Sequence, residues 1–149
     1  VLRVGGFKKV IDAHNKDAAG QIEVVSELDG NGERTKGYQS TADALQAHTD
    51  LDAIFAINDP SALGAYTAVK EAKREDNIKI IGFDGQPDAK QAIKDGWIHA
   101  DPIQHPDKMG EQIVQLIMKY QAGEKFEAET LIPATLYTKA EADKDPELK

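Results

Sequence analysis

The sequence contains no cysteine, no long apolar run and no excess of basic residues. Without cysteine it has no disulfide framework, no thiolate metal site and no cysteine nucleophile. No apolar run approaches the roughly 18 residues of a membrane-spanning helix, so we expect a protein that is not inserted in a membrane. Acidic residues number 26 against 18 lysines and arginines, and the net charge of −8 argues against a nucleic-acid partner.

The composition that remains, 149 residues with 40% apolar and 30% charged side chains, is that of a globular domain. Composition alone leaves the compartment open between cytosol and periplasm. The sequence starts at Val1 without a methionine and without a targeting pattern. Because an α/β domain seldom starts without a first strand, we expect that part of the protein precedes Val1.

Apolar periodicity predicts an alternation of helices and strands. The helices are expected at residues 4–18, 34–48, 60–74, 87–94 and 107–123, and the strands at residues 21–28, 53–57, 78–83, 97–103 and 131–137. Short connections and right-handed crossovers then predict an α/β fold with a doubly wound parallel sheet. Pro133 makes a central position unfavourable for the last strand. We expect the apolar stripe of residues 109–120 to be core and the tail from Lys139 to be frayed.

Polar side chains follow two of the predicted strands. Asn58 follows the strand at 53–57, and Asp84 follows the strand at 78–83. In open α/β sheets ligands bind at the carboxyl ends of the strands, so both side chains are candidates for a binding cleft. Asp59 is the expected helix N-cap, which would leave Asn58 available to the ligand.

The strand predicted at 97–103 runs into a short segment, residues 103–105, that has a proline on either side. Pro102 and Pro106 restrict the backbone of residues 103–105, as a hinge or a crossing between lobes requires. Gln104 lies in this segment and is a further candidate for binding hydroxyl groups.

No motif in the sequence indicates a cofactor or a metal. There is no nucleotide-binding glycine pattern, no G-x-S-x-G and no paired-histidine spacing. The DGNG loop at residues 29–32 lacks the rest of a calcium-binding loop. An enzyme remains an alternative only through Asp59 and Asp84, two acids after neighbouring strands that could form a catalytic pair.

Five sequence blocks resemble ribose-type periplasmic sugar-binding proteins, the soluble receptors of ABC sugar importers. They are R-x-x-G-F at residues 3–7, AIND-x-x-ALGA at 56–65, IIGFDG at 80–85, P-D-x-x-x-A-I-x-D-G at 87–96 and I-Q-x-P-D-x-M-G at 103–110. The blocks run over nearly the whole chain in the family's order. Lactose-repressor-type regulators share the same core, so the effector domain of a transcriptional regulator is the alternative function.

The resemblance implies two α/β lobes that close around a monosaccharide or polyol. Residues 1–102 would form most of the second lobe, 103–130 a crossing and a helix of the first lobe, 131–139 the last crossing and strand, and 140–149 a tail. Arg3, Asn58, Asp84 and Gln104 would bind the sugar. The protein would be a periplasmic, monomeric, non-enzymatic partner of a membrane permease, without a cofactor or metal. The family's usual stacking aromatic is missing from residues 29–33.

Overall fold

The computed structural model describes residues 2–17 and 20–148. Within these ranges the elements are six helices and four strands. In chain order they are α1 (Leu2–Asp17), α2 (Arg34–Ala47), β1 (Ala53–Phe55), α3 (Asp59–Glu71), β2 (Lys79–Ile81), α4 (Pro87–Lys94), β3 (Ala100–Ile103), α5 (Pro106–Gln121), β4 (Thr135–Thr138) and α6 (Lys139–Ala142). The predicted first helix extended to Ala18, which lies outside the described residues.

The four strands form one sheet in the order β1-β2-β3-β4. β1, β2 and β3 are parallel, as predicted, and β4 is antiparallel to β3 at the edge of the sheet. The prediction of a fully parallel sheet was therefore wrong for the last strand. A parallel crossover requires the intervening helix to pack on the sheet, and α5 buries none of its residues.

The strand predicted at residues 21–28 does not form. A strand needs a neighbour for its backbone N–H and C=O groups, and no strand of the described chain pairs with this segment. Its aliphatic side chains stay half exposed, among them Ile22 and Leu28. The segment is attached at its start, where the side chain of Asn15 forms two 2.8 Å hydrogen bonds with the backbone of Ile22.

The core lies between the sheet and the helices α3, α4 and α6. Ile80 of β2, Val69 of α3 and Ile93 of α4 are almost completely buried. The remaining members of the core cluster are Ala56, Ala62, Ala65, Ile78, Ala89, Ala92, Ile98, Tyr137 and Ala142. Many of these are alanines, whose small side chains let the helices pack closely on the sheet.

Two glycines allow α2 and α3 to pack with their backbones in contact. A Cβ atom on Gly64 would lie 2.1 Å from the carbonyl oxygen of Arg34, and one on Gly37 would lie 2.7 Å from the carbonyl oxygen of Ser61. Because backbone cannot move aside as a flexible side chain can, a larger residue at either position would push the helices apart.

Helix α5 has the predicted amphipathic pattern but no buried residue. Its apolar face is exposed at Ile113, Val114, Ile117, Met118 and Tyr120. The prediction that residues 109–120 form core was therefore wrong within this chain, because no described element covers that face.

The C-terminal segment is ordered into the fold, which contradicts the expectation of a frayed tail. Thr138 and Glu141 form a capping box at the start of α6. Ala142 is fully buried, and Tyr137 donates a 2.7 Å hydrogen bond to Asp145. Local capping and these contacts outweigh the polar composition of the segment. No helix among residues 2–17 and 20–148 has the length and apolarity needed to cross a membrane.

Candidate functional site

The carboxyl ends of β1 and β2 lie side by side. Ala53 pairs with Lys79 and Phe55 with Ile81, so the residues that follow the two parallel strands leave the sheet at the same edge. Arg3 of α1 links the two ends: its Nη1 donates to the carbonyl oxygen of Ile57 at 2.8 Å and its Nη2 to Oδ1 of Asp84 at 2.7 Å. The predicted juxtaposition of the two strand ends is confirmed.

Asp84 is the centre of a polar cluster that contains three of the four predicted binding residues. Its Oδ1 accepts from Arg3 and, at 2.5 Å, from Nε2 of Gln104. The side chains of Arg3 and Asp84 retain 30% and 18% of their exposure, so the cluster faces solvent. Oδ2 of Asp84 receives no hydrogen bond from the described residues.

The backbone holds Asp84 in a rarely adopted conformation. Its φ is +127°, in a region that residues with a side chain seldom occupy. The amide of Asp84 donates to the carbonyl oxygen of Pro102 at 3.2 Å, and the amide of Gln104 donates back to the carbonyl oxygen of Asp84 at 2.9 Å. These bonds continue the parallel pairing of β2 and β3 past the strand ends, so Gln104 and Asp84 are fixed relative to each other.

The guanidinium group of Arg3 lies over an aromatic ring. Its Cζ lies 4.1 Å from the ring centroid of Phe83, a cation–π contact. A second aromatic contact holds the same helix, because Phe7 stacks on Phe55 with 4.5 Å between ring centroids. Arg3 is therefore a positioned side chain and not a mobile surface arginine.

Asn58, not Asp59, is the N-cap of α3, which contradicts the sequence prediction. Oδ1 of Asn58 accepts from the amide of Ser61 at 3.1 Å, and Nδ2 donates to the carbonyl oxygen of Gly32 at 2.9 Å. An asparagine amide carries two N–H donors, so one of them remains for a ligand while the cap is intact. The Gly32 contact also places the loop at residues 29–32, which has no aromatic side chain, beside the site.

Asp59 is fully buried and cannot act as a surface acid beside Asp84. Its Oδ1 accepts from the amide of Phe83 at 3.2 Å and its Oδ2 from the amide of Gln86 at 2.7 Å. A short polar side chain was expected to cap a helix here, but the carboxylate binds the backbone of the neighbouring loop instead. The catalytic pair of Asp59 and Asp84 considered above is not formed.

Asp101 of β3 is a second buried carboxyl group, and sequence reasoning missed it. It accepts from the amide of Gly85 at 2.9 Å. Burial, followed by the hydrogen bond with Asp59 and its charge, raises the pKa of Asp101 to about 8. Burial also raises the pKa of Asp59, against hydrogen bonds that lower it. The available signal was an acid inside a predicted strand, between Ala100 and Pro102.

The exposed cluster contains the donors and acceptors that hydroxyl groups require. Asp84 supplies an acceptor, Arg3 and Asn58 supply donors, and Gln104 supplies both. A sugar hydroxyl donates and accepts at once, so it matches such a mixed set. The described residues place no nucleophile with an adjacent base in this cluster.

Comparisons with known proteins agree with this geometry. The ribose import binding protein RbsB of Salmonella typhimurium is 36% identical over 134 residues, which cover 90% of this chain and 43% of the relative. The D-ribose/D-allose-binding protein of Pseudomonas aeruginosa is 37% identical over 127 residues, covering 85% of this chain and 38% of the relative. This chain thus spans about two fifths of the length of the curated relatives that it matches.

Among solved structures, an ABC transporter solute binding protein from Agrobacterium vitis with bound D-fucose has a TM-score of 0.80 at 34% identity. The match covers 97% of this chain and 48% of that one. Residues 1–125 match the family described as periplasmic binding protein domain. On this match, and with a parallel sheet that gathers polar side chains at its carboxyl edge, the chain belongs to the periplasmic binding protein domain family.

Proposed function

We propose that this chain is the sugar-binding part of a solute-binding protein that captures a monosaccharide or polyol for an ABC-type importer. The observation that carries the proposal is the cluster in which Arg3 and Gln104 both donate to Oδ1 of Asp84 and leave Oδ2 open. Each charge-assisted hydrogen bond to a hydroxyl would contribute about 1.5–3 kcal/mol. A few such bonds in a closed cleft are enough for specific capture.

Each of the four predicted residues would make a different hydrogen bond to the sugar. Asp84 would accept from a hydroxyl through Oδ2, and Arg3 would donate from its remaining N–H groups. Asn58 would donate its second amide N–H while it caps α3. Gln104 would offer its carbonyl oxygen and its second Nε2 N–H, since only one of the two N–H groups donates to Asp84. The relatives are named for ribose, D-allose and D-apiose, and solved neighbours hold D-fucose or myo-inositol.

The exposed apolar face of α5 supports a division into lobes. We propose that residues 1–102 form most of one lobe and that residues 103–130 carry a helix of the other. The exposed apolar face of α5 would pack in that other lobe. Residues 131–139 would return to the first sheet, which matches the antiparallel edge position of β4, and residues 140–149 would close the chain against α4.

The same proposal includes a periplasmic location, a monomeric state and a membrane permease as partner. It favours the importer's receptor over a transcriptional regulator because the relatives named above are import binding proteins. It also makes the protein a binder and not an enzyme, since the acid that could pair with Asp84 is buried.

Calorimetry on the full-length protein tests the proposal. The panel is D-ribose, D-allose, D-apiose, D-fucose, L-arabinose and myo-inositol, with sucrose as a disaccharide control. We expect saturable heat with at least one monosaccharide or polyol and none with sucrose. No heat from any member of the panel would count against the proposed function.

A further inference from the structure

Two buried carboxyl groups lie beneath the loop that carries Asp84. Asp59 at the start of α3 and Asp101 in β3 are both 0% exposed. None of the ion pairs among the described residues includes either of them. Two buried acids without a cation are costly, so their retention at this place calls for a physical account.

The pair holds the backbone of residues 83–86. Asp59 accepts from the amides of Phe83 and Gln86, and Asp101 accepts from the amide of Gly85. The remaining amide in the loop, that of Asp84, donates to β3. Every N–H of this loop therefore has an acceptor, and two buried side chains supply three of the four. These bonds keep Asp84 at its unusual φ of +127°.

One buried carboxyl oxygen of the pair, Oδ1 of Asp101, lacks a hydrogen-bond donor within the described chain. Both oxygens of Asp59 accept N–H bonds, and so does Oδ2 of Asp101, but the buried Oδ1 of Asp101 has no N–H or O–H donor among the described residues. The two Oδ1 atoms converge on Gly82, where a Cβ atom would lie 2.9 Å from that of Asp59 and 3.3 Å from that of Asp101. A proton on one carboxyl group would supply the missing donor.

We propose that Asp59 and Asp101 share one proton and act as positioning residues that hold the loop of Asp84 ready for the sugar. The proton resides on Asp101, because Asp59 receives two backbone N–H bonds that favour its charged form. The pair then carries one negative charge, which the N-terminus of α4 stabilises through the Gln86 amide. This inference rests on the proposed function for its effect on binding, but not for the shared proton itself.

Few other charged groups face the pair. Asp84 faces it from the end of β2 and disfavours a second charge, and Arg3 of α1 is opposite Asp84 and pairs with it. Burial and the charge of Asp59 keep Asp101 protonated at neutral pH, with a pKa of about 8. Above that pH the pair would hold two charges in a dry site, and the loop would loosen.

The two asparagine variants separate this role from simple packing. In Asp101→Asn the oxygen still accepts from Gly85, and the amide N–H replaces the shared proton. In Asp59→Asn a single oxygen remains for two backbone donors, so one N–H faces an NH₂ group. We expect Asp59→Asn to weaken binding of the panel's tightest sugar at pH 7 by about tenfold more than Asp101→Asn does. Asp76→Asn, at an exposed turn, is the control for the lost charge.

The pH profile is the second readout. Wild-type affinity should fall by about fivefold or more between pH 7 and pH 9, as the shared proton is lost, and Asp101→Asn should abolish that fall. If Asp101→Asn keeps the alkaline fall, or weakens binding as much as Asp59→Asn while folded, the proposal is overturned. Should Asp59→Asn not fold, the Asp101→Asn profile decides alone.

A ligand-free measurement distinguishes failure of this inference from failure of the proposed function. Carboxyl-carbon NMR of the full-length protein should show one aspartate of the pair titrating near pH 8. The protection factors of the Phe83, Gly85 and Gln86 amides, which are corrected for the intrinsic acceleration of exchange by base, should fall above that pH. If no sugar binds but both signals are seen, the proposed function fails and the proton pair stands. Titration of both carboxyl groups below about pH 5 would refute the shared proton whether or not a sugar binds.

Discussion

Replacement of Asp84 by asparagine is the sharpest test of the site. Oδ1 of Asp84 accepts from Arg3 at 2.7 Å and from Gln104 at 2.5 Å, and an asparagine oxygen can accept both of these bonds. What changes is Oδ2, the atom proposed to accept from a sugar hydroxyl, because an NH₂ donor takes its place. The variant therefore removes the ligand contact and leaves most of the local framework.

The expected loss follows from the kind of bond. A charge-assisted hydrogen bond contributes about 1.5–3 kcal/mol, which corresponds to an increase in Kd of about 10- to 150-fold. The free energy of unfolding should change by less than about 1 kcal/mol, since the Arg3–Asp84 pair is partly exposed. Calorimetry with the panel's tightest sugar gives Kd, and denaturant unfolding gives the stability of the same sample.

Asp88→Asn is the matched control, because it removes the same charge from an exposed position in the first turn of α4. A double-mutant cycle with Arg3→Gln should give a coupling energy of about 0.5–3 kcal/mol in binding. Wild-type affinity in Asp84→Asn, or an equal loss in Asp88→Asn, would refute the assignment of Oδ2 as the ligand acceptor.

Three further predictions concern stability. Asp101 keeps its proton up to about pH 8 in the folded state but loses it near its ordinary pKa of 3.8 in the unfolded state. As the pH rises between these two values, the free energy of unfolding should therefore fall by up to about 1.4 kcal/mol per pH unit. Denaturant unfolding of Asp101→Asn should lack this fall. Gly64→Ala should cost about 2 kcal/mol or more in the same assay, since its Cβ meets backbone, whereas Gly110→Ala, with no atom near the added Cβ, should stabilise slightly. Ala142→Asp should lower the free energy of unfolding by about 3 kcal/mol and exposed Ala140→Asp by little; equal effects would mean that the C-terminal segment is not packed.

Local patterns predicted the elements of this fold well, because caps, prolines and apolar periodicity act within a few residues. The helix at 87–94 is an example, since Pro87 and the following residues specify its start. Patterns could not predict what each element packs against. The strand predicted at 21–28 does not form, and the apolar stripe of α5 lies on a helix as predicted but is exposed, because neither segment meets a partner in the described chain.

For the site, too, local patterns marked some residues, whereas features that depend on tertiary contacts could not be predicted. Asp84, Arg3 and Gln104 lie in contact with one another, at positions that the strand ends and the family's motifs mark in the sequence, and their role in binding stays a prediction. The capping role of Asn58 and the buried pair could not be predicted, because Asp59 follows β1 and Asp101 lies in β3, 42 positions later, and the two meet only through the pairing of both strands with β2. A neutral buried acid leaves no local signature, since its protonation depends on the neighbours that the fold brings to it.

If Gln104 binds the sugar as proposed, its position would couple sugar binding to movement of the lobes. Its side chain donates to Asp84, and its backbone amide donates to the carbonyl oxygen of the same residue. The next residue, His105, contacts Thr135 at 2.7 Å, so the two segments expected to cross between lobes touch each other beside the site. A rotation of one lobe about these segments would change the backbone at Gln104 and therefore the contacts of Asp84. If closure accompanies binding, the affinity for sugar and the hinge angle are set by the same few backbone bonds, and substitutions at His105 or Thr135 should change both together.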